Sequence, residues 1–142
     1  MESYALVAVQ FLSAAILIYL TLHVPLNLFA IIMITIAIAV ALWAILAMRM
    51  GNFRINPIPK EKAKLVTNGP YNFIRHPMYA AVLIAMIGIA INTGTWFSYI
   101  LWFVLFIDLY MKMQFEEKLL LMKFSEYEKY MRRTKRFLPF LW

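Results

Sequence analysis

Hydrophobic positions in this chain do not alternate with polar ones; they run on. From Ser3 to Met48, and again from His76 to Ile107, there is no Asp, Glu, Lys or Arg, and all 14 Lys and Arg residues lie outside these stretches. An apolar helix needs about 20 residues to cross a bilayer. Each stretch is long enough for two such helices with one internal break. The breaks read as His23-Val24-Pro25-Leu26-Asn27 and Asn92-Thr93-Gly94-Thr95, which hold neither Lys nor Arg. The pattern predicts an all-α integral membrane bundle of four transmembrane helices, with a cytoplasmic interfacial loop and a C-terminal amphipathic helix. Short loops rich in Lys and Arg mark the cytoplasmic face, so both termini are expected inside.

Local signals place the elements at about 4–22, 26–48, 77–91, 95–122 and 126–133, within a single domain covering 1–142. Pro25 and Asn27 supply a break and a restart. Pro77 suits the first position of the third helix and biases His76 before it towards an extended backbone. Asp108 and Lys112, spaced i and i+4 with the acid first, support continuation of the fourth helix beyond the apolar run. Ser125-Glu126-Tyr127-Glu128 has the form of a capping box opening the last helix. The segment from Arg49 to Pro70, with Pro57, Pro59 and the turn Asn68-Gly69-Pro70, reads as a basic interfacial loop. The tail from Phe137 to Trp142 reads as an aromatic anchor at headgroup depth.

Composition agrees. Hydrophobic residues make up 64% of the chain and charged ones 15%, which does not describe a soluble domain. The net charge of +7 would suggest nucleic acid in a soluble protein; here it sits beside the apolar runs, where it faces anionic lipid. No nucleic-acid partner is expected. Cysteine is absent, so thiolate chemistry and thiolate metal sites are excluded. The first apolar run lacks the basic start and small-residue cleavage site of a signal peptide, so it is expected to be a retained helix.

The topology carries one geometric expectation. Helix three starts at the basic face with Arg75-His76-Pro77-Met78-Tyr79, and helix four returns there just before Glu116-Glu117. A cationic and aromatic cluster should therefore face two carboxylates at one depth, where perturbed ionisation is expected. Taken singly, each part has a structural reading: Arg75 and His76 as interfacial residues, Tyr71 and Tyr79 as belt aromatics, Glu116 and Glu117 as partners of nearby lysines. The conjunction is what points to a site. Adjacent helical residues diverge by about 100°, so one glutamate should face the cleft and the other a neighbouring compartment.

The string Gly69-Pro70-Tyr71-Asn72-Phe73-Ile74-Arg75-His76-Pro77-Met78-Tyr79, followed by Glu116-Glu117 and by Phe124, Tyr127, Tyr130, Arg133 and Pro139, resembles the isoprenylcysteine carboxyl methyltransferase and phospholipid methyltransferase group. These are integral membrane enzymes that use S-adenosyl-L-methionine. The resemblance runs from Arg54 to the C-terminus. It implies that Tyr71, His76, Pro77, Met78 and Tyr79 contact the cofactor, with backbone around Leu65 and Val66, and that Glu116 holds its amino group. Free N–H groups at the start of helix three suit the cofactor carboxylate. Lys112 falls where the family places a basic residue, usually Arg, near the methyl acceptor. Ala80 and Ala81 stand where the family commonly has Gly, and Phe124-Ser125 where it has Phe-Gly.

The implied function is methyl transfer from S-adenosyl-L-methionine to a lipidic acceptor entering from the bilayer, either a prenylcysteine carboxylate or a phospholipid amine. An amine must lose a proton, and Glu117 is the nearest candidate base; a carboxylate needs none, and Lys112 or Arg133 would position it. The alternative is a non-enzymatic four-helix transporter or assembly subunit. A proton-coupled transporter would be expected to carry a carboxylate within a crossing, and the first three helices have none.

Overall fold

The computed structural model describes residues 2–52 and 65–137. Most of the expected basic loop and the tail beyond Phe137 lie outside these residues. Among the described residues five α-helices follow one another: α1 (Glu2–Thr21), α2 (Leu28–Asn52), α3 (Pro77–Thr93), α4 (Trp96–Lys123) and α5 (Tyr127–Arg133), with a 3-10 turn at Gly69–Asn72. Among the described residues the β-structure is a single parallel bridge between Ile74 and Lys135.

The helix ends follow from local chemistry. α2 starts at Leu28, two residues later than expected, because Asn27 caps it: Asn27 Oδ1 accepts from the Ala30 N–H at 2.8 Å. Pro77 opens α3 as the sequence predicts. α3 ends on Gly94 in the left-handed region at φ 67°, whose N–H donates to the Ala90 carbonyl at 3.1 Å. Thr95 then caps α4 by accepting from the Ser98 N–H. The capping box expected at Ser125 does not form. Glu126 is the residue before α5, it has helical φ and ψ, and no side chain caps the helix. α5 begins one residue too late for the box, so Ser125 lies ahead of the cap position, and Glu126, which occupies it, has a helical and not an extended backbone.

α2 packs on α3 and α1 on α4, with α3 also against α4. The α2–α3 crossing is close because Gly88 has no side chain; a Cβ there would lie 2.7 Å from Met33 Cβ. Two apolar layers fill the centre, Leu17, Ile89 and Ala90 in one and Leu83, Leu105 and Leu109 in the other. Trp102 ties α4 to α3 by donating its indole N–H to the Leu83 carbonyl at 3.0 Å. The outer faces are as apolar as the core: Leu12, Leu22, Leu28, Leu46, Trp96 and Met122 are all largely exposed. Within α2 the stretch Leu28–Met48, and α4 along Trp96–Lys123, are long and apolar enough to cross a membrane.

Candidate functional site

The residues before α3 are held by the residues after α5. Lys135 N–H donates to the Phe73 carbonyl at 3.0 Å, Arg75 N–H to the Lys135 carbonyl at 2.7 Å and His76 N–H to the Arg136 carbonyl at 3.1 Å. The Arg75 guanidinium adds to this strap, donating to the Met131 carbonyl at 3.1 Å and to the Thr134 carbonyl. The corner ahead of Pro77 is thereby fixed, but His76 has φ −125° and ψ 58°, not the extended backbone expected before a proline, because its N–H is tied to the Arg136 carbonyl and its carbonyl accepts from the Ala80 N–H as the first turn of α3. Upstream, the Gly69 turn presses on α2: its φ is 60°, and a Cβ there would meet Ala47 Cβ at 2.7 Å.

The strapped corner faces both glutamates of α4. Arg75 Nε donates to Glu117 Oε1 at 2.6 Å, His76 Nε2 lies 3.3 Å from the same oxygen, and Arg136 Nε lies 3.7 Å from Glu117 Oε2. Glu117 is buried, with its side chain 5% exposed. Glu116 points elsewhere. It accepts from the Tyr79 hydroxyl at 3.0 Å, has His76 Nδ1 3.6 Å away, and keeps its side chain 26% exposed. The His76 and Tyr79 rings stack, with centroids 5.4 Å apart and planes 4° from parallel. One helical step therefore separates a carboxylate enclosed by cations from one that opens outward.

The other expected site residues fall into two surroundings. Tyr71 is buried, and its carbonyl accepts from the Tyr130 hydroxyl at 2.6 Å. Burial, with smaller opposed contributions from nearby charges, pushes that hydroxyl up to about 12, so it remains a donor. Burial and then the charge of Glu116 raise the Tyr71 hydroxyl too. Pro77 is fully buried at the head of α3, while Met78 beside it is half-buried. Leu65 and Arg133 line a cleft of about 480 Å³ with Thr67, Phe124, Glu126, Lys129 and Tyr130; Val66 adjoins it in sequence and is half-buried. Arg133 lies over the Tyr130 ring at 5.6 Å.

Lys112 is not with Arg133. It is 1% exposed, sends Nζ to Gln10 Oε1 on α1 at 2.8 Å, and lies over the Tyr79 ring at 5.4 Å. The i, i+4 pair expected with Asp108 is not made; both Asp108 carboxylate oxygens are buried without a hydrogen-bond partner. Sequence reasoning did not single out Arg136 or Thr134 as site residues. They lie between the last helix and the tail from Phe137 read as an anchor, and backbone pairing over some sixty residues leaves no side-chain signature. Among the described residues no cluster of His, Asp and Glu is arranged to hold a metal ion.

Residues 25–127 match the family model described as phospholipid methyltransferase, so the chain belongs to that family. A search of curated proteins returns no match. Family membership makes this a methyltransferase of lipid-type substrates, and with two helices of crossing length it is membrane-associated.

Proposed function

We propose that the protein transfers a methyl group from S-adenosyl-L-methionine to a lipidic acceptor that reaches the site from within the bilayer. α1 to α4 cross the membrane four times, with the termini and the site on the cytoplasmic face. The support is the confinement of every Lys and Arg to one side of the four hydrophobic segments and the apolar outer faces of α1, α2 and α4.

The observation that carries the reading is Glu116. It is a half-enclosed carboxylate, held by Tyr79 and His76, beside the head of α3, and no side chain caps that helix. The donor set fits the cofactor's amino acid end, since a carboxylate suits its ammonium and open helix N–H groups suit its carboxylate. Tyr71, His76, Pro77, Met78 and Tyr79, with the backbone at Leu65 and Val66, complete the proposed cofactor surface. Bound there, the cofactor supplies an electrophilic methyl group. The protein's part is to align the acceptor and exclude water.

Glu117, expected as the base, is reassigned. A carboxylate already gripped by Arg75, His76 and Arg136 is a poor proton acceptor, and its proposed role is to fix the corner that presents His76 and Tyr79. Arg133, in the outer cleft, is left as a candidate for an anionic part of the substrate. Family membership favours this reading over transport.

Calorimetry in detergent with S-adenosylhomocysteine tests the site. Glu116→Gln should weaken binding at least about tenfold, or about 1.4 kcal/mol. Unchanged affinity in both Glu116→Gln and His76→Ala would remove the proposed cofactor site.

A further inference from the structure

α1 (Glu2–Thr21) lies wholly outside the residues matched by the family model, 25–127, yet one of its side chains reaches towards the site. Gln10 is half-buried on the face of α1 that also carries the buried Ser13 and Leu17. Its Oε1 accepts from Lys112 Nζ on α4 at 2.8 Å.

Lys112 has partners closer to hand. Asp108 and Glu116 stand one turn before and one turn after it, about 6 Å away along the axis at 1.5 Å per residue, and the charges of both act on its ammonium. A bond to Asp108 would be the local solution, the one that Arg132 makes with Glu128 on α5 at 2.8 Å. Lys112 does not make it, and both Asp108 oxygens are left without a hydrogen-bond partner. The ammonium goes to Gln10 and lies over the Tyr79 ring at 5.4 Å. A lysine stem is a flexible four-carbon chain, so such an aim has to be imposed from outside its own helix. Gln10 is the group that imposes it.

The aim matters because of what Tyr79 does. Its ring stacks on His76 with planes 4° from parallel, and its hydroxyl donates to Glu116 Oε2 at 3.0 Å. A cation over an aromatic face attracts the ring, so the ammonium fixes the side chain that orients Glu116. We propose that Gln10 is a positioning residue for cofactor binding: by aiming Lys112 at the Tyr79 ring it holds the Tyr79 hydroxyl on the carboxylate that receives the cofactor's amino group. The proposal rests on the methyltransferase reading and deepens it, adding α1 to the apparatus of the site. Without Gln10 the ammonium turns back one helical step to Asp108, and Tyr79 keeps only its stack on His76 and a looser hold on Glu116. The bundle itself survives the change, because Lys112 retains a partner within α4.

Two measurements on the full chain in detergent test this: calorimetry of S-adenosylhomocysteine binding, and fluorine NMR of a fluorotyrosine placed at Tyr79 alone. Gln10→Leu should weaken binding about fivefold, the scale of one hydrogen bond, and should move the fluorine signal. Gln10→Glu, which keeps an acceptor oxygen at the same reach, should return both close to the wild type. On a Tyr79→Phe background, which has no hydroxyl to offer Glu116, Gln10→Leu should weaken binding by less than about twofold more, because residues acting through one contact are not additive. A glutamine that merely packed α1 on α4 would leave the fluorine signal in place and give additive losses. Wild-type affinity with an unmoved signal in Gln10→Leu, or the full fivefold loss on the Tyr79→Phe background, overturns the proposal. If Gln10→Leu does not fold, Gln10→Asn takes its place in both measurements, since it withdraws the acceptor by one methylene and stays polar. A wild type that binds no S-adenosylhomocysteine removes the cofactor site and this role with it; a fluorine signal still moved by Gln10→Leu would then trace the failure to the cofactor reading and not to the link from α1 to Tyr79.

Discussion

The two ends of the helical bundle are closed by different chemistry. At the end that holds the α1–α2 and α3–α4 turns, the links are between neutral groups: Asn27 N–H donates to Asn92 Oδ1 at 2.8 Å, and the Thr21 and Thr93 hydroxyls are 3.3 Å apart. At the other end, Arg75, His76 and Arg136 surround Glu117. Both ends bring together residues far apart in sequence, so topology does not separate them. What separates them is the consequence of losing a partner. A neutral hydrogen bond contributes about 1 kcal/mol net, whereas a buried charge stripped of its counter-charge costs about 3–5 kcal/mol. The neutral end can only hold helices together; the charged end also presents a second carboxylate, Glu116, that is not used up.

The largest expected effect breaks the charged end. Arg75→Met leaves Glu117 buried with weakened compensation and removes the bonds to the Met131 and Thr134 carbonyls. A loss of about 3–5 kcal/mol is expected, read as a lowered thermal midpoint in detergent. The double variant Arg75→Met with Glu117→Met should recover much of it, because two apolar groups replace a pair. If the double variant is as unstable as the single one, Arg75 matters through its carbonyl bonds and the ion pair is incidental. Glu116→Gln gives the contrast: it should reduce cofactor-product binding while leaving the midpoint nearly unchanged.

A packing change of intermediate size probes the bundle between its ends. Gly88→Val places new atoms against Met33 where even a Cβ would lie 2.7 Å from its Cβ, so α2 must move off α3. Overpacking of this kind costs about 1–3 kcal/mol. At the neutral end, Asn92→Ala removes the acceptor for the Asn27 N–H and should cost about 1 kcal/mol. A larger loss there than for Arg75→Met, in the same thermal assay, would reverse the ranking of the two ends.

How much of this was readable from the chain divides along the same line. The neutral end was legible because its signals are local: proline and asparagine at the first break, and glycine and threonine at the second, each act on backbone within four residues. The proximity of Arg75-His76 to Glu116-Glu117 was legible too, because a hairpin of two helices returns to the face it left. The division of labour between the glutamates was legible only as a 100° divergence. Which of them meets the cations depends on the rotation of α4 about its axis, set by packing against α1 and α3. Lys112 illustrates the same limit. Sequence spacing put it with Asp108, but the α1–α4 contact offered Gln10, and that contact has no local signature. The missing cap at Ser125 is of another kind: the turn ahead of α5 is itself helical, and the Tyr127 N–H donates to the Phe124 carbonyl at 3.1 Å, so the motif's residues are present in a backbone that cannot use them.

The smallest effect sharpens the comparison by separating charge from burial. Glu128 and Arg132 on α5 form an ion pair of ordinary length, 2.8 Å, but their side chains are 68% and 78% exposed. Water screens both groups whether or not they meet, and holding two long side chains together costs entropy. Arg132→Ala should therefore shift the thermal midpoint by less than the equivalent of about 0.5 kcal/mol. Raising the salt should erase even that, while leaving the effect of Arg75→Met largely in place, because counter-ions reach the α5 surface and do not enter the enclosure around Glu117. Equal salt sensitivity in the two variants would mean that the Arg75–Glu117 contact is as wet as the one on α5. The distinction between an enclosed carboxylate that builds the site and an open one that serves it would then fail.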